Sequence, residues 1–290
     1  MRVQLKLYYS LMKPGVLYGN VLTTVAGFLL AAGFFRQFDV GAFIATVVGT
    51  TFVIGAACAL NNVLDRDIDQ LMERTKKRAV ASGQVSPRPA TIFSAVLGVV
   101  GTVILAFWVN WLVVAIGLVG FVVYVWLYGA LSKRLSIHGT LVGSISGAMP
   151  ILAGYCAVSD RIDMAAVLLF LMLFFWQFPE FFSIAIYRRD EYKAAHIPVM
   201  TVIKGIHGTI VRIQLYTVAF VVTTLLLFSF GYVGYVYFVV MAAAGGWWLW
   251  LAFSEQAAKD HDAWARRMFH ISLNVLLLLC LMLSIGALLP

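Results

Sequence analysis

The sequence predicts an all-α protein, a polytopic membrane bundle of nine transmembrane helices forming one domain over residues 1–290, and three observations predict it. Of the 290 residues, 62% belong to the AVILMFWYC set and only 12% are Asp, Glu, Lys or Arg. A soluble domain carries about 45–50% apolar and about 25% charged residues, so a water-soluble globule of this composition has nowhere to put its apolar excess. The apolar residues also fall into runs of spanning length, about 20 residues each. Finally, the few charges divide very unevenly between the two sides that those runs define. With aromatics at 14% and only three cysteines, disordered, collagen-like and disulfide-framework chains are excluded.

The first run, 16–34, follows Lys13-Pro14-Gly15 and reads as a retained span, since no small-residue cleavage site follows it. The second, 42–62, ends on Asn61 and Asn62 and leads into a polar loop. Runs 91–108 and 111–131 are separated by Val109 and Asn110, runs 140–158 and 164–187 by the turn from Ser159 to Asp163, and runs 210–229 and 233–253 by a turn with Gly231 and Gly234. Such short joins imply antiparallel neighbours. The last run is 269–289. Barrel strands would alternate in polarity over about ten residues, whereas these runs are continuous, as helices in lipid must be. Cys58, Cys156 and Cys280 lie inside runs without C-x-x-C spacing and read as small buried apolar residues.

Nine spans put the chain ends on opposite sides. One side then holds 19 of the 21 Lys and Arg residues and the other only Arg36 and Arg161. By the positive-inside rule the N-terminus is cytoplasmic and the C-terminus periplasmic or outside. The net charge of +8 is thereby a statement of topology. Anionic lipid is the expected surface partner, and nucleic acid is not a partner.

The segment 61–89 after the second span differs from the other loops. Asn61, Asp65 and Asp69 stand at i, i+4 and i+8, which on a helix leaving span two sets three oxygen-bearing side chains on one face. Like charges at that spacing repel, so the row suits a cation between the carboxylates. Mg2+ is usually held by one or two carboxylates, with substrate phosphates and water completing its shell. Arg74, Lys76, Lys77 and Arg78 follow and suit the outer oxygens of the same phosphates. The other reading is a solvated helix end with paired acids and bases against lipid head groups, and Asp67 and Glu73, off the row, fit that description. Weight moves toward a site because the row begins at an Asn attached to an apolar run, where polar groups are costly.

From Asn61 through Asp65, Ile68-Asp69, Met72, Arg74-Thr75 and Arg78 to Gly83, the spacing resembles the full signature of the UbiA-type intramembrane prenyltransferases. Further stretches resemble the branch of that superfamily that farnesylates protoheme IX: Lys13-Pro14-Gly15, Gly139-Thr140, Gly143-Ser144 through Pro150, Trp176-Gln177-Phe178-Pro179, and Tyr192 through Ile197-Pro198-Val199. The resemblance implies a nine-helix bundle whose cavity opens to the cytoplasmic side and to lipid. It also implies an isoprenyl diphosphate bound through Mg2+ by acidic motifs after spans two and six. Asn61, Asp65 and Asp69 would form the first metal set and, with Glu191, the catalytic group. Glu191 stands where the branch carries Asp, and Asp190 is an adjacent candidate metal ligand. Arg74, Lys77 and Arg78 would contact diphosphate, Arg78 from the signature position, while Lys133, Arg134 and Arg188 would hold diphosphate or heme propionates. After Trp176-Gln177-Phe178-Pro179 the branch usually shows His, and this chain has Glu180; a role of that His in orienting or ligating heme would be vacant here or moved to His138, His196 or His207, with Glu180 and His196 the heme-side candidates.

The activity so implied transfers farnesyl from farnesyl diphosphate to a vinyl group of protoheme IX, with heme as substrate and Mg2+ as cofactor. The setting would be the inner (plasma) membrane, with membrane lipid and a downstream heme A synthase or terminal oxidase as partners. Aromatic walls for the allylic cation would come from Tyr124, Trp126 and Tyr128, or from Phe174, Phe175 and Trp176. Two rivals stand beside this reading. A prenyltransferase acting on an aromatic acid or quinone precursor would carry a D-x-x-x-D row after span six, which is missing. A transporter or non-catalytic oxidase-assembly protein fits the composition, but a transporter would place charges at mid-membrane.

Overall fold

The structure, a computed structural model, describes residues 2–254 and 260–290, and the regular elements among them are all helical. In chain order these are α1 (Arg2–Leu11), α2 (Pro14–Phe35), α3 (Val40–Leu64), α4 (Arg66–Leu71), α5 (Pro87–Trp108) and α6 (Trp111–Val122). The last continues as a π-helix, Val123–Ser132, and a final turn, α7 (Lys133–Leu135). Then come α8 (Gly139–Ser159), α9 (Met164–Tyr187), α10 (Arg189–Ala194), α11 (Met200–Ser229), α12 (Tyr235–Phe253) and α13 (His261–Gly286). Among the described residues nine helices are long and apolar enough to cross a membrane: α2, α3, α5, α6 through α7, α8, α9, α11, α12 and α13. The chain is a multi-pass membrane protein. Of the bases counted by side, Lys259 and the side chain of Arg2 lie outside the described residues.

Local chemistry starts these helices where the runs begin. Asp39 accepts from Ala42 N at 2.8 Å to cap α3, Asn110 from Val113 N at 2.8 Å to cap α6, and Asp163 from Ala166 N at 3.2 Å to cap α9. Two helices start far ahead of their apolar runs. The seventh span begins at Met200 rather than 210 and bends at Gly205, whose φ of 74° only glycine adopts freely. The ninth begins at His261 rather than 269, because Asp260 accepts from Asp262 N at 3.0 Å and Ala263 N at 3.1 Å. Hydropathy marks where a helix is immersed, whereas capping marks where it is wound.

Inside the bundle α9 packs against α8, α11 and α13, α2 against α8 and α13, and α3 against α5. Without a hydrophobic drive between helices in lipid, close packing must hold them together. At the α2–α8 crossing a Cβ on Gly154 would stand 1.9 Å from the Thr24 carbonyl oxygen and one on Gly27 2.2 Å from that of Ile151, so the two backbones touch through glycine. Phe107, Trp108, Trp111 and Trp250 face outward, as lipid-facing and interfacial aromatics do.

Candidate active site

Between α2, α3, α8, α9 and the α6–π-helix span lies a cavity of about 810 Å³, near the top of the range of about 300–1,000 Å³ for small-molecule sites. Most of its charged lining comes from helix ends at one side of the bundle: Lys13 before α2, Asp65 and Asp69 after α3, Arg74 and Arg78 in the following loop, Lys133 in α7 and Arg188 after α9.

The acidic row does not ride on one unbroken helix, as its spacing suggested. α3 stops at Leu64 and α4 starts at Arg66, with Asp65 at the joint (φ −88°, ψ 3°). The four-residue hydrogen bonds nevertheless carry across it, Asp65 N to Asn61 O at 2.9 Å and Asp69 N to Asp65 O at 2.8 Å. All three side chains are buried and line the cavity. Their charges are met from other elements: Lys133 Nζ donates to Asp65 Oδ2 at 2.6 Å, and Arg78 Nη1 donates to both oxygens of Asp69 at 2.8 Å. Asp65 Oδ1 is buried without a hydrogen-bond partner, as is Asn61 Nδ2.

Lys13 belongs to this cluster, and sequence reasoning missed its role. Its ammonium donates to Asn61 Oδ1. Its backbone is left-handed (φ 52°) where α1 turns into α2, and Pro14 opens the new helix. Burial, then the nearby Arg78 guanidinium, lowers its pKa to about 8. The signal was the Lys-Pro-Gly tripeptide, which punctuates the chain but does not by itself say where the ammonium goes.

The donor set fits a hard divalent cation. Two carboxylates and an amide oxygen share one wall, and Asp65 Oδ1 is unspent. Among the described residues no three His, Cys, Asp or Glu side chains gather at metal-holding distance. The donors present are thus the partial set that Mg2+ typically completes with phosphate and water.

The other expected site residues divide. Arg74, Arg78, Lys133, Arg188 and Glu180 line the cavity, whereas Lys77 is exposed and outside the lining. Glu191 and Asp190 do not line it either. Glu191 accepts from Arg188 at 2.6 Å and keeps Oε2 buried and unpartnered, while the Asp190 side chain is 93% exposed. Consecutive residues on a helical turn point different ways, so only one of this pair can face the bundle. His138, His196 and His207 are exposed and absent from the lining, so none of them takes a place beside Glu180. Asp67, off the row, pairs with Arg134 at 2.7 and 2.8 Å, and that guanidinium holds its carboxyl below the usual range.

The aromatic candidates divide in the same way. Tyr124 and Tyr128 both line the cavity and stack with centroids 5.8 Å apart; they stand on the π-helix, a geometry that gathers at functional sites. Trp176 lines it too, its Nε1 donating to the Ser272 carbonyl at 2.9 Å. Trp126 is 51% exposed on the outer surface. Phe174 and Phe175 pack in a ring cluster with Phe178 and Tyr216, outside the lining.

The chamber among the spanning helices thus carries carboxylates and cations at one end and aromatic side chains below. Residues 20–274 match the UbiA prenyltransferase family, and the chain belongs to it. Its curated relatives include the protoheme IX farnesyltransferase of Yersinia enterocolitica, 42% identical over 283 residues, 98% of this chain and 95% of the relative. That of Sodalis glossinidius is 42% identical over 289 residues, 99% and 97% of the two chains. Among solved structures, digeranylgeranylglyceryl phosphate synthase superposes with a TM-score of 0.81 at 18% identity over 99% of each chain. A UbiA homolog from Archaeoglobus fulgidus bound to DMAPP and Mg2+ gives 0.72 at 12% identity, over 93% of this chain and 98% of the homolog. At such identities these two likenesses speak for the fold.

Proposed function

We propose that this prenyltransferase moves the farnesyl group of farnesyl diphosphate onto a vinyl group of protoheme IX, releasing diphosphate and forming heme O for terminal oxidases. The observation that carries the reading is one continuous chamber, with anion-binding cations and oxygen donors at its mouth and apolar walls beneath, in a chain that keeps 42% identity with protoheme IX farnesyltransferases over 98% of its length. Both substrates have that polarity: diphosphate and propionates at one end, a lipid-soluble body at the other.

Asn61, Asp65 and Asp69 would hold Mg2+, while Glu191, outside the cavity lining and paired with Arg188, would join them only by releasing that pair, and the exposed Asp190 stays outside the set. Bound there, Mg2+ supplies Lewis-acid stabilisation of the departing diphosphate. Lys13, Arg74, Arg78, Lys133 and Arg188 present a preorganised positive field to the same oxygens, so the electron pair of the breaking C–O bond leaves onto a group already neutralised. The allylic cation faces Tyr124, Tyr128 and Trp176, whose π-faces stabilise it while apolar neighbours keep water away from it. The heme vinyl attacks it, forming the new C–C bond and moving the positive charge to the vinyl carbon next to the ring. Water then adds at that carbon and loses a proton, leaving a hydroxyethylfarnesyl side chain.

The chain is a single domain, and its mouth, with the N-terminus, lies on the cytoplasmic side of the inner membrane. A downstream heme A synthase or terminal oxidase receives the product. Membranes containing the protein, given farnesyl diphosphate, protoheme and Mg2+, should yield a more apolar heme by chromatography. Chelation should stop the reaction and added Mg2+ restore it. Absence of that product, or its survival in Asp65→Ala, would overturn the assignment.

A further inference from the structure

Glu180 is the ionisable side chain that the diphosphate cluster leaves unexplained. It lines the cavity from within α9 rather than from a helix end. Arg188 follows it by eight residues, which sets Glu180 about 12 Å deeper along the helix axis. The other two carboxylates of the lining are engaged, Asp65 with Lys133 and Asp69 with Arg78. Among the described residues Glu180 has neither a hydrogen bond nor an ion pair. An unpaired carboxyl at membrane depth is expensive and marks function by default. With no partner from the protein, its hydrogen-bonding demand falls to water in the cavity.

Its neighbours suit the same water. Gln177, one turn earlier on the same face, spends its amide nitrogen on the Ser144 carbonyl at 3.1 Å and the Leu173 carbonyl at 2.8 Å, so its oxygen remains as an acceptor. Ser146, across the cavity on α8, donates to the Gly143 carbonyl at 2.7 Å and keeps its lone pairs. Gln177 and Ser146 thus add two free acceptors to the Glu180 carboxyl in the lining of the same chamber, whose mouth is crowded with cations.

We propose that Glu180 is the general base of the hydration half of the reaction. It holds one water in the dry part of the cavity and takes its proton as the water oxygen bonds to the cationic vinyl carbon. The C–O bond forms with the water lone pair, the O–H pair stays on oxygen, and the carboxylate becomes a carboxylic acid that later returns its proton to solvent. This rests on the farnesyl-transfer reading and adds to it the residue that decides whether the cation ends as an alcohol or as an alkene. Without a base at that point, the cation loses a proton from the neighbouring methylene instead.

The test reads product composition by mass spectrometry in membranes given farnesyl diphosphate, protoheme and Mg2+. Wild type should give the hydroxylated product, labelled when the solvent is H2(18)O. Glu180→Gln should still release diphosphate but give a farnesylated heme lighter by one water, its hydroxylated share falling at least about 100-fold. Glu180→Asp, one methylene shorter, should give a mixture, and because composition is read rather than yield, a poorly accumulating variant still reports. A wild-type product composition from either variant overturns the inference alone. No farnesylated heme from wild type overturns the function on which it rests.

Discussion

Asp65 joins the two halves of the site, paired to Lys133 at 2.6 Å through one oxygen and buried without a partner at the other. Asp65→Ala is expected to lower turnover about 10³-fold through lost metal and field, whereas Asp190→Ala, on a 93% exposed side chain, should stay within about twofold; steady-state rates on membranes distinguish the two. Lys13→Met removes a cation while keeping side-chain length, and should weaken farnesyl diphosphate binding about tenfold or more, read as a rise in KM. The roles of Asn61, Asp65 and Asp69 were suggested by spacing, because i, i+4 geometry is local. Lys13 and Lys133 were not legible to the same degree: each reaches the cluster from 48 or 68 residues away, and pairing at that distance is a property of packing. Asp190 and Glu191 show the converse. Composition at one turn cannot say which side chain faces inward until neighbouring helices fix the rotation of α10.

At the scale of elements, hydropathy found each spanning helix but placed two starts far too late, since the polar turns before 210 and 269 wind as helix outside the apolar run. The π-helix at Val123–Ser132 left no mark in the sequence, although it carries Tyr124 and Tyr128 at the cavity wall. The α2–α8 contact makes a sharp prediction. Gly154→Ala sets a Cβ 1.9 Å from a backbone oxygen that cannot swing aside, so it should cost about 1–3 kcal/mol, toward the upper end. Gly205→Ala, at φ 74° but with open space around the Cβ, should cost about 1–2 kcal/mol by backbone strain alone. Thermal unfolding in detergent should rank them in that order, with Gly154→Ala also losing monodispersity.

For the whole molecule, the even alternation of spans and the 19-to-2 division of bases predict sidedness. The three native cysteines are buried, so single cysteines introduced elsewhere give a clean readout. Ser159→Cys should react with a membrane-impermeant maleimide on intact cells, and Gln84→Cys only after lysis; the reverse pattern would turn the bundle over. The scarcity of charge made this legible, since each base had to lie near a membrane face.

The joint between α1 and α2 also bears on how this protein can be handled. Leu11 is buried, its carbonyl is held by Asn62 Nδ2 at 2.8 Å, and the next turn presents Lys13 to the cavity. The N-terminal helix is thus a bracket for one cation of the cavity lining. Deleting residues 2–11 should leave the nine-span bundle extractable and monodisperse while raising the KM for farnesyl diphosphate as Lys13→Met does. Affinity tags and fusion partners accordingly belong at the other end of the chain.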